Sequence, residues 1–159
     1  MGQDKALLCI EGTPLALRTA NILRLCGIEQ IYLVGRQAEL STLGLPVIRD
    51  THTHHHPLYG VAAALRLLPD SEIMFLPCDL INLATAHIDR LVEFGEPCVA
   101  SSGGITHPLI NVLPHHLAER ALHLADVGSS AHQLISDLPV IELPAPSLKD
   151  ANRPEQLPR

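Results

Sequence analysis

Tryptophan is absent from this 159-residue chain, and phenylalanine and tyrosine occur only twice each. A core without large rings must be filled by Leu, Ile, Val and Ala, which suits helices packed on a buried sheet. Basic residues are also scarce: 11 Lys and Arg face 17 Asp and Glu, leaving a net charge of −6 and no basic cluster. Neutralising a nucleic-acid backbone needs a basic face, so a duplex-binding surface is excluded. A small anion held by backbone groups and a metal ion is still allowed. No apolar run approaches the ~20 residues of a membrane span, and no signal peptide is visible, which points to the cytoplasm. The 4 cysteines, Cys9, Cys26, Cys78 and Cys98, form no CxxC pair. They read as reduced, mostly buried thiols.

What is present fits an ordinary globular domain. The hydrophobic fraction is 47% and the charged fraction 18%, too apolar and too weakly charged for a disordered chain. No repeat or interior linker divides residues 1–159, so one domain is expected.

Apolar spacing predicts a helix from Pro14 to Leu25, with Thr13 as cap and Gly27 as stop. Two short apolar runs follow, Gln30 to Val34 and Leu45 to Ile48, the second leading into Asp50; both read as buried strands. Thr51 to His56 is a His-rich loop, and Leu58 to Leu68 is helical. Glu72 to Pro77 is a strand with Asp79 just beyond its carboxyl end. Further helices are expected at Thr85 to Phe94, Pro114 to Ala125 and Ser129 to Leu138. Strands are expected at Pro97 to Ser101, Leu109 to Leu113 and Val140 to Leu143, with a Gly103-Gly104 turn between the first two. This alternation predicts a three-layer α/β fold, a mostly parallel sheet with helices on both faces. Ligands of such folds bind at the carboxyl ends of strands, where Asp50 and Asp79 both fall.

Asp79 is well placed to bind Mg²⁺, which is commonly held by one or two carboxylates plus substrate phosphates. A turn or helix-cap aspartate is the plain alternative. Lys5 precedes a short apolar run and a helix, where it can face a phosphate or simply be solvated. The imidazoles of His52, His54, His55 and His56 suit Zn or Ni, although four His close in sequence need not converge on one ion.

Several segments, in order, resemble one family. Met1-Gly2-Gln3-Asp4-Lys5-Ala6-Leu7-Leu8 is similar to the end of the LAGGxSxRMGxDKALL signature of molybdenum cofactor guanylyltransferases. Gly12-Thr13-Pro14-Leu15 matches the GxPL that follows it. Tyr32 to Arg36 resembles VVVGR, and Leu45 to Asp50 resembles LPVVxD. His56 to Gly60 resembles GPLAG, with His56 for the first Gly and Tyr59 for the Ala. Leu76-Pro77-Cys78-Asp79 is LPCD, His107-Pro108-Leu109 is HPL, and Asp150 to Glu155 resembles NxNTPE. Relatives that transfer CMP carry GDMP and WxxGM segments instead.

The resemblance implies a Rossmann-like nucleotidyltransferase that joins GMP from GTP to molybdopterin and releases pyrophosphate. Asp79 would hold Mg²⁺, Lys5 would neutralise phosphate charge, Asp50 and the backbone at Gly35 would lie beside guanine, and Asn152 near the metal. A molybdoenzyme or cofactor carrier is the implied protein partner. The alternatives are a cytidylyltransferase of the same superfamily and a non-catalytic metal-handling relative. The family pattern opens with an apolar strand and paired glycines, whose N–H groups receive phosphates. This chain matches only the end of that signature, so its domain is expected to lack the first strand and most of the phosphate loop.

Overall fold

The computed structural model describes residues 5–146 together with 148 and 149. A 3₁₀ turn over Lys5–Leu7 leads into β1 (Cys9–Ile10), paired antiparallel with β2 (Thr13–Pro14). Glu11 (φ 51°) and Gly12 (φ 77°) turn the chain between them, the left-handed pair of a tight hairpin. α1 (Leu15–Leu25) starts directly after β2. Thr13 is therefore not its cap: the hairpin takes Thr13, and Pro14 precedes the helix with no side-chain cap bond.

β3 (Leu33–Gly35) and β4 (Val47–Arg49) form a parallel pair, with Leu33 opposite Val47 and Gly35 opposite Arg49. Both strands start later than the apolar runs suggest, because Ile31 and Leu45 pack on Ala20 of α1 before the ladder begins. α2 (Pro57–Leu67) opens with Pro at its first position, and the Leu58 N–H donates to His56 Nδ1 at 3.2 Å. Proline suits that place because its missing N–H would have no helical partner there. β5 (Glu72–Phe75), α3 (Thr85–Phe94), β6 (Cys98–Ser102), β7 (Ile105–Pro114), α4 (Ala118–Asp126), α5 (Ala131–Leu134) and β8 (Val140–Glu142) follow.

Expected helices are shortened at two places. The segment from Pro114 opens as a 3₁₀ turn over His115–Leu117 before α4. Of the stretch expected from Ser129 to Leu138, only the four residues of α5 are helical. Arg120 explains the second case: its guanidinium takes the Gln133 carbonyl at 2.8 Å and the Asp137 carboxylate at 2.8 Å. A tertiary partner thus uses the acceptors that a longer helix would need.

The larger sheet runs β5-β7-β6-β8. The α/β layering is as expected, but strand directions are more mixed than a mostly parallel sheet. β7 is antiparallel to both β5 and β6, whereas β6/β8 and β3/β4 are parallel. The tight Gly103-Gly104 connection (φ 61° and 77°) explains this, since two residues can only return the chain antiparallel. Leu58, Leu65 and Val61 of α2 pack with Val99, Leu113 and Ala121 on one face. Ile88 and Leu91 of α3 pack with Cys98, Ile110 and Val112 on the other. Of the four thiols only Cys98 is buried. Cys9 is exposed and Cys26 and Cys78 are intermediate, because the hairpin and the loop after β5 lie at the surface.

Among the described residues no strand joins β3 to β5, so each is an edge of its own sheet. Both edges line one cavity of about 930 Å³, walled by Ala20 of α1, Gly60 and Ala64 of α2, and Leu91 of α3. α2 packs closely on β3 at Gly60, where an added Cβ would lie 2.8 Å from Val34 Cγ1. A slot bounded by two strand edges and apolar helix faces offers backbone partners to one more strand.

Candidate functional site

Pro77 follows β5 closely and cannot donate to a ladder, so the chain leaves the sheet there and delivers Asp79 to its carboxyl end. Lys5 Nζ meets Asp79 Oδ2 at 2.7 Å across 74 positions of sequence. The side chains are 33% and 14% exposed, so the pair is partly shielded from water yet open to a ligand. The bond from Leu15 N to Leu8 O, at 2.8 Å, ties the Lys5 segment to α1. Thr19 of α1 donates to the Cys78 carbonyl at 3.5 Å, tying the helix to the Asp79 loop.

Asp79 offers a hard carboxylate oxygen, as Mg²⁺ prefers. Among the described residues no group of three or more His, Cys, Asp or Glu converges as a metal cage. The donor set therefore fits an ion shared with substrate phosphates rather than one enclosed by protein. The loop beyond Asp79 binds the C-terminal segment: Ile81 N donates to Lys149 O at 3.1 Å, and Lys149 N to Asn82 Oδ1 at 2.8 Å. Asn152 lies outside the described residues.

Gly35 and Asp50 come together on the other bank of the cavity, because Gly35 pairs with Arg49. An added Cβ at Gly35 would lie 2.5 Å from Leu40 Cδ1, so the backbone lies hard against Leu40 there. Asp50 is already engaged. Its Oδ2 accepts from Arg36 Nε at 2.9 Å and pairs with Nη2 at 2.8 Å. Its Oδ1 accepts from the His52 backbone N–H at 2.9 Å and meets His52 Nδ1 at 3.0 Å. Arg36 also donates to the carbonyls of Thr53 and His54, which fixes the His-rich loop.

Two of the imidazoles serve separate roles. His52 stacks on Tyr59, with centroids 4.1 Å apart and planes 9° from parallel, while His56 caps α2. Tyr59 Oη donates to Asp126 Oδ1 at 3.0 Å, anchoring the ring to α4.

Burial pushes the Asp50 carboxyl upward, but the His52 and Arg36 hydrogen bonds and the Arg36 charge outweigh it and hold it below the usual range. A carboxylate depressed in the folded state contributes stability above its unfolded pKa, near ~3.9. That contribution fades as pH falls through the lower folded value. Asp50→Asn should therefore lower the thermal midpoint at pH 7 and shrink the gap between midpoints at pH 7 and pH 3. Calorimetry at both pH values checks this, and an unchanged gap would show that Asp50 is not part of the acid response.

Away from that cavity, Ser101 Oγ donates to the Glu142 carboxylate, beside the β6–β7 turn. On β7, His107 Nε2 and Asn111 Oδ1 are buried with no protein partner. The structure brings Lys5 to Asp79 and Gly35 to Asp50, as two halves beside one cavity. Sequence reading gave no role to Arg36 or Tyr59 and treated His52 only as one of a metal-type cluster. An Arg at a strand end fourteen positions before Asp50 was the available signal for that ion pair.

Residues 1–140 match the family described as the MobA-like NTP transferase domain. The chain is 33% identical to the molybdenum cofactor guanylyltransferase of Rhodopseudomonas palustris, covering 98% of this chain and 83% of that protein. It is 29% identical to the enzyme of that name from Pseudomonas aeruginosa, over 98% and 85%. In fold it is similar to molybdopterin-guanine dinucleotide biosynthesis protein A of Archaeoglobus fulgidus. That match has a TM-score of 0.66 at 17% identity, covering 90% of this chain and 76% of the other.

Proposed function

Because this chain belongs to the family of MobA-like NTP transferase domains, we propose that it transfers GMP from GTP to molybdopterin. The products are the guanine dinucleotide cofactor and pyrophosphate. The observation that carries the reading is the 2.7 Å contact of Lys5 with Asp79 at the carboxyl end of β5. A cation and a carboxylate in contact there can part to receive a phosphate and a metal ion respectively.

An oxygen of the molybdopterin phosphate attacks the α-phosphorus of GTP, a new P–O bond forms, and the bond to the β-phosphate oxygen breaks. No protein base is needed, since the attacking phosphate is already ionised. Positioning and charge neutralisation carry such transfers. Lys5 would turn from Asp79 to the phosphates, and Asp79 would hold Mg²⁺. When bound, Mg²⁺ neutralises the phosphate charge that builds up in the transition state. Asp50 and the Gly35 backbone face the base, where a carboxylate can accept from the N1–H and N2–H₂ edge of guanine. A cytoplasmic molybdoenzyme or carrier then receives the product.

Pyrophosphate release in the presence of molybdopterin and Mg²⁺ tests this across the four NTPs. GTP is expected to exceed CTP by roughly tenfold or more, because a site built to hydrogen-bond one edge is left with unpaired groups by another. Faster release from CTP would replace guanylyl by cytidylyl transfer.

A further inference from the structure

We propose that Tyr59 is the stacking face for the nucleobase, and that His52 stands in for that base while the site is free. The inference rests on the reading of Asp50 as a base contact and adds the residues that control access to it.

A carboxylate offers about four lone-pair sites, and Arg36 Nε, Arg36 Nη2, His52 N and His52 Nδ1 fill those of Asp50. A base needs at least one open acceptor there, so a donor must leave. Arg36 is held by the carbonyls of Thr53 and His54 as well as by Asp50, with its side chain 22% exposed. The His52 side chain is 35% exposed, bound on one edge and stacked on one face. His52 is the donor that can swing out.

The posture of His52 is that of a bound base. A flat ring lies 4.1 Å from Tyr59, 9° from parallel, and directs a ring nitrogen at Asp50 Oδ1 at 3.0 Å. Since an ionised Asp50 only accepts, that Nδ1 is the donor. Moving the one ring outward uncovers both the face of Tyr59 and an acceptor of Asp50. Tyr59 itself stays in place, 4% exposed and anchored through Asp126. The ligand class is a planar base that presents an N–H donor to Asp50, and the two fused rings of guanine cover the Tyr59 face more fully than the single ring of cytosine.

Titration of the full chain with GMP and CMP tests the proposal. His52→Ala should bind GMP roughly five- to tenfold more tightly than the parent, since neither a stacked ring nor its hydrogen bond must be displaced. CMP binding should change little. Tyr59→Phe keeps the ring and should keep the GMP gain when combined with His52→Ala, whereas Tyr59→Leu should abolish it. In the parent protein the His52 ring protons, shifted upfield by Tyr59 in proton NMR, should move downfield on GMP saturation. Equal or weaker GMP binding by His52→Ala, equal gains for GMP and CMP, or a His52 signal unmoved at saturation would overturn the proposal. Pyrophosphate release is read separately. GTP turnover with unaltered GMP affinity in His52→Ala overturns the stand-in and leaves guanylyl transfer standing.

Discussion

Joining an apolar strand of about five residues and a glycine-rich turn to Met1 should raise the thermal midpoint and tighten Mg²⁺-dependent GTP binding. Both effects follow from the slot between β3 and β5. Those two edges line the same cavity of about 930 Å³, and Ala6, next to Lys5, lines it too. A segment joined to Met1 is therefore only a few positions of sequence from a slot-lining residue, and an inserted strand would find backbone partners on both sides. Burying an apolar side chain is worth about 2 kcal/mol, against about 1.5 kcal/mol for ordering each residue. Five residues then leave a net gain of ~2–3 kcal/mol, or on the order of 5–10 °C for a domain of this size. The glycine turn would bring free N–H groups beside Lys5 and Asp79, the donors that phosphates bind best. A polar strand of equal length is the control. If it raises the midpoint equally, the slot is not a strand site, and if the apolar version leaves GTP binding unchanged, the phosphate site is wrongly placed.

In that extended chain, Asp79→Asn should lower pyrophosphate release by about a hundred- to a thousandfold while the fold persists. A bound metal supplies several kcal/mol of charge stabilisation in the transition state, and each ~1.4 kcal/mol is tenfold in rate. An amide is a far weaker ligand for a hard cation than a carboxylate. The stability effect is expected to be small by comparison. Lys5 is one-third exposed in the pair, and ion pairs so open to solvent contribute about 0–1 kcal/mol. Circular dichroism and turnover measured on the same preparation separate the two effects. Turnover equal to the parent would remove Asp79 from the metal site, and a collapse of the fold would make it a structural residue instead.

Local spacing was sufficient for much of the fold. The helix at Thr85–Phe94 falls where its apolar positions put it. α2 begins at Pro57, one residue before the expected Leu58, because proline suits a first helical turn. Asp79 beyond a strand that Pro77 must interrupt, and Asp50 after a run of apolar residues, are also decided by neighbours in sequence. These are properties of a few consecutive side chains, and hydrophobic period, proline and glycine report them directly.

Other features depended on partners far along the chain. The Gln133 carbonyl in the segment after Ser129 is taken by Arg120 rather than by a helix, so periodicity there misleads. β7 pairs antiparallel with β5 on one side and β6 on the other, a direction set by the turn and the packing of both neighbours. Lys5 finds Asp79 only because the hairpin and α1 carry it across 74 positions. The engagement of Asp50 by Arg36 and His52, and the cover that His52 lays on Tyr59, exist only once β3, β4 and α2 are packed together. The sequence by itself determined the type of most of the longer elements, the family, and which charged residues stand at strand ends. Tertiary structure alone decided which of those charges meet and which are already occupied, because long-range pairing is settled by packing and not by any local period.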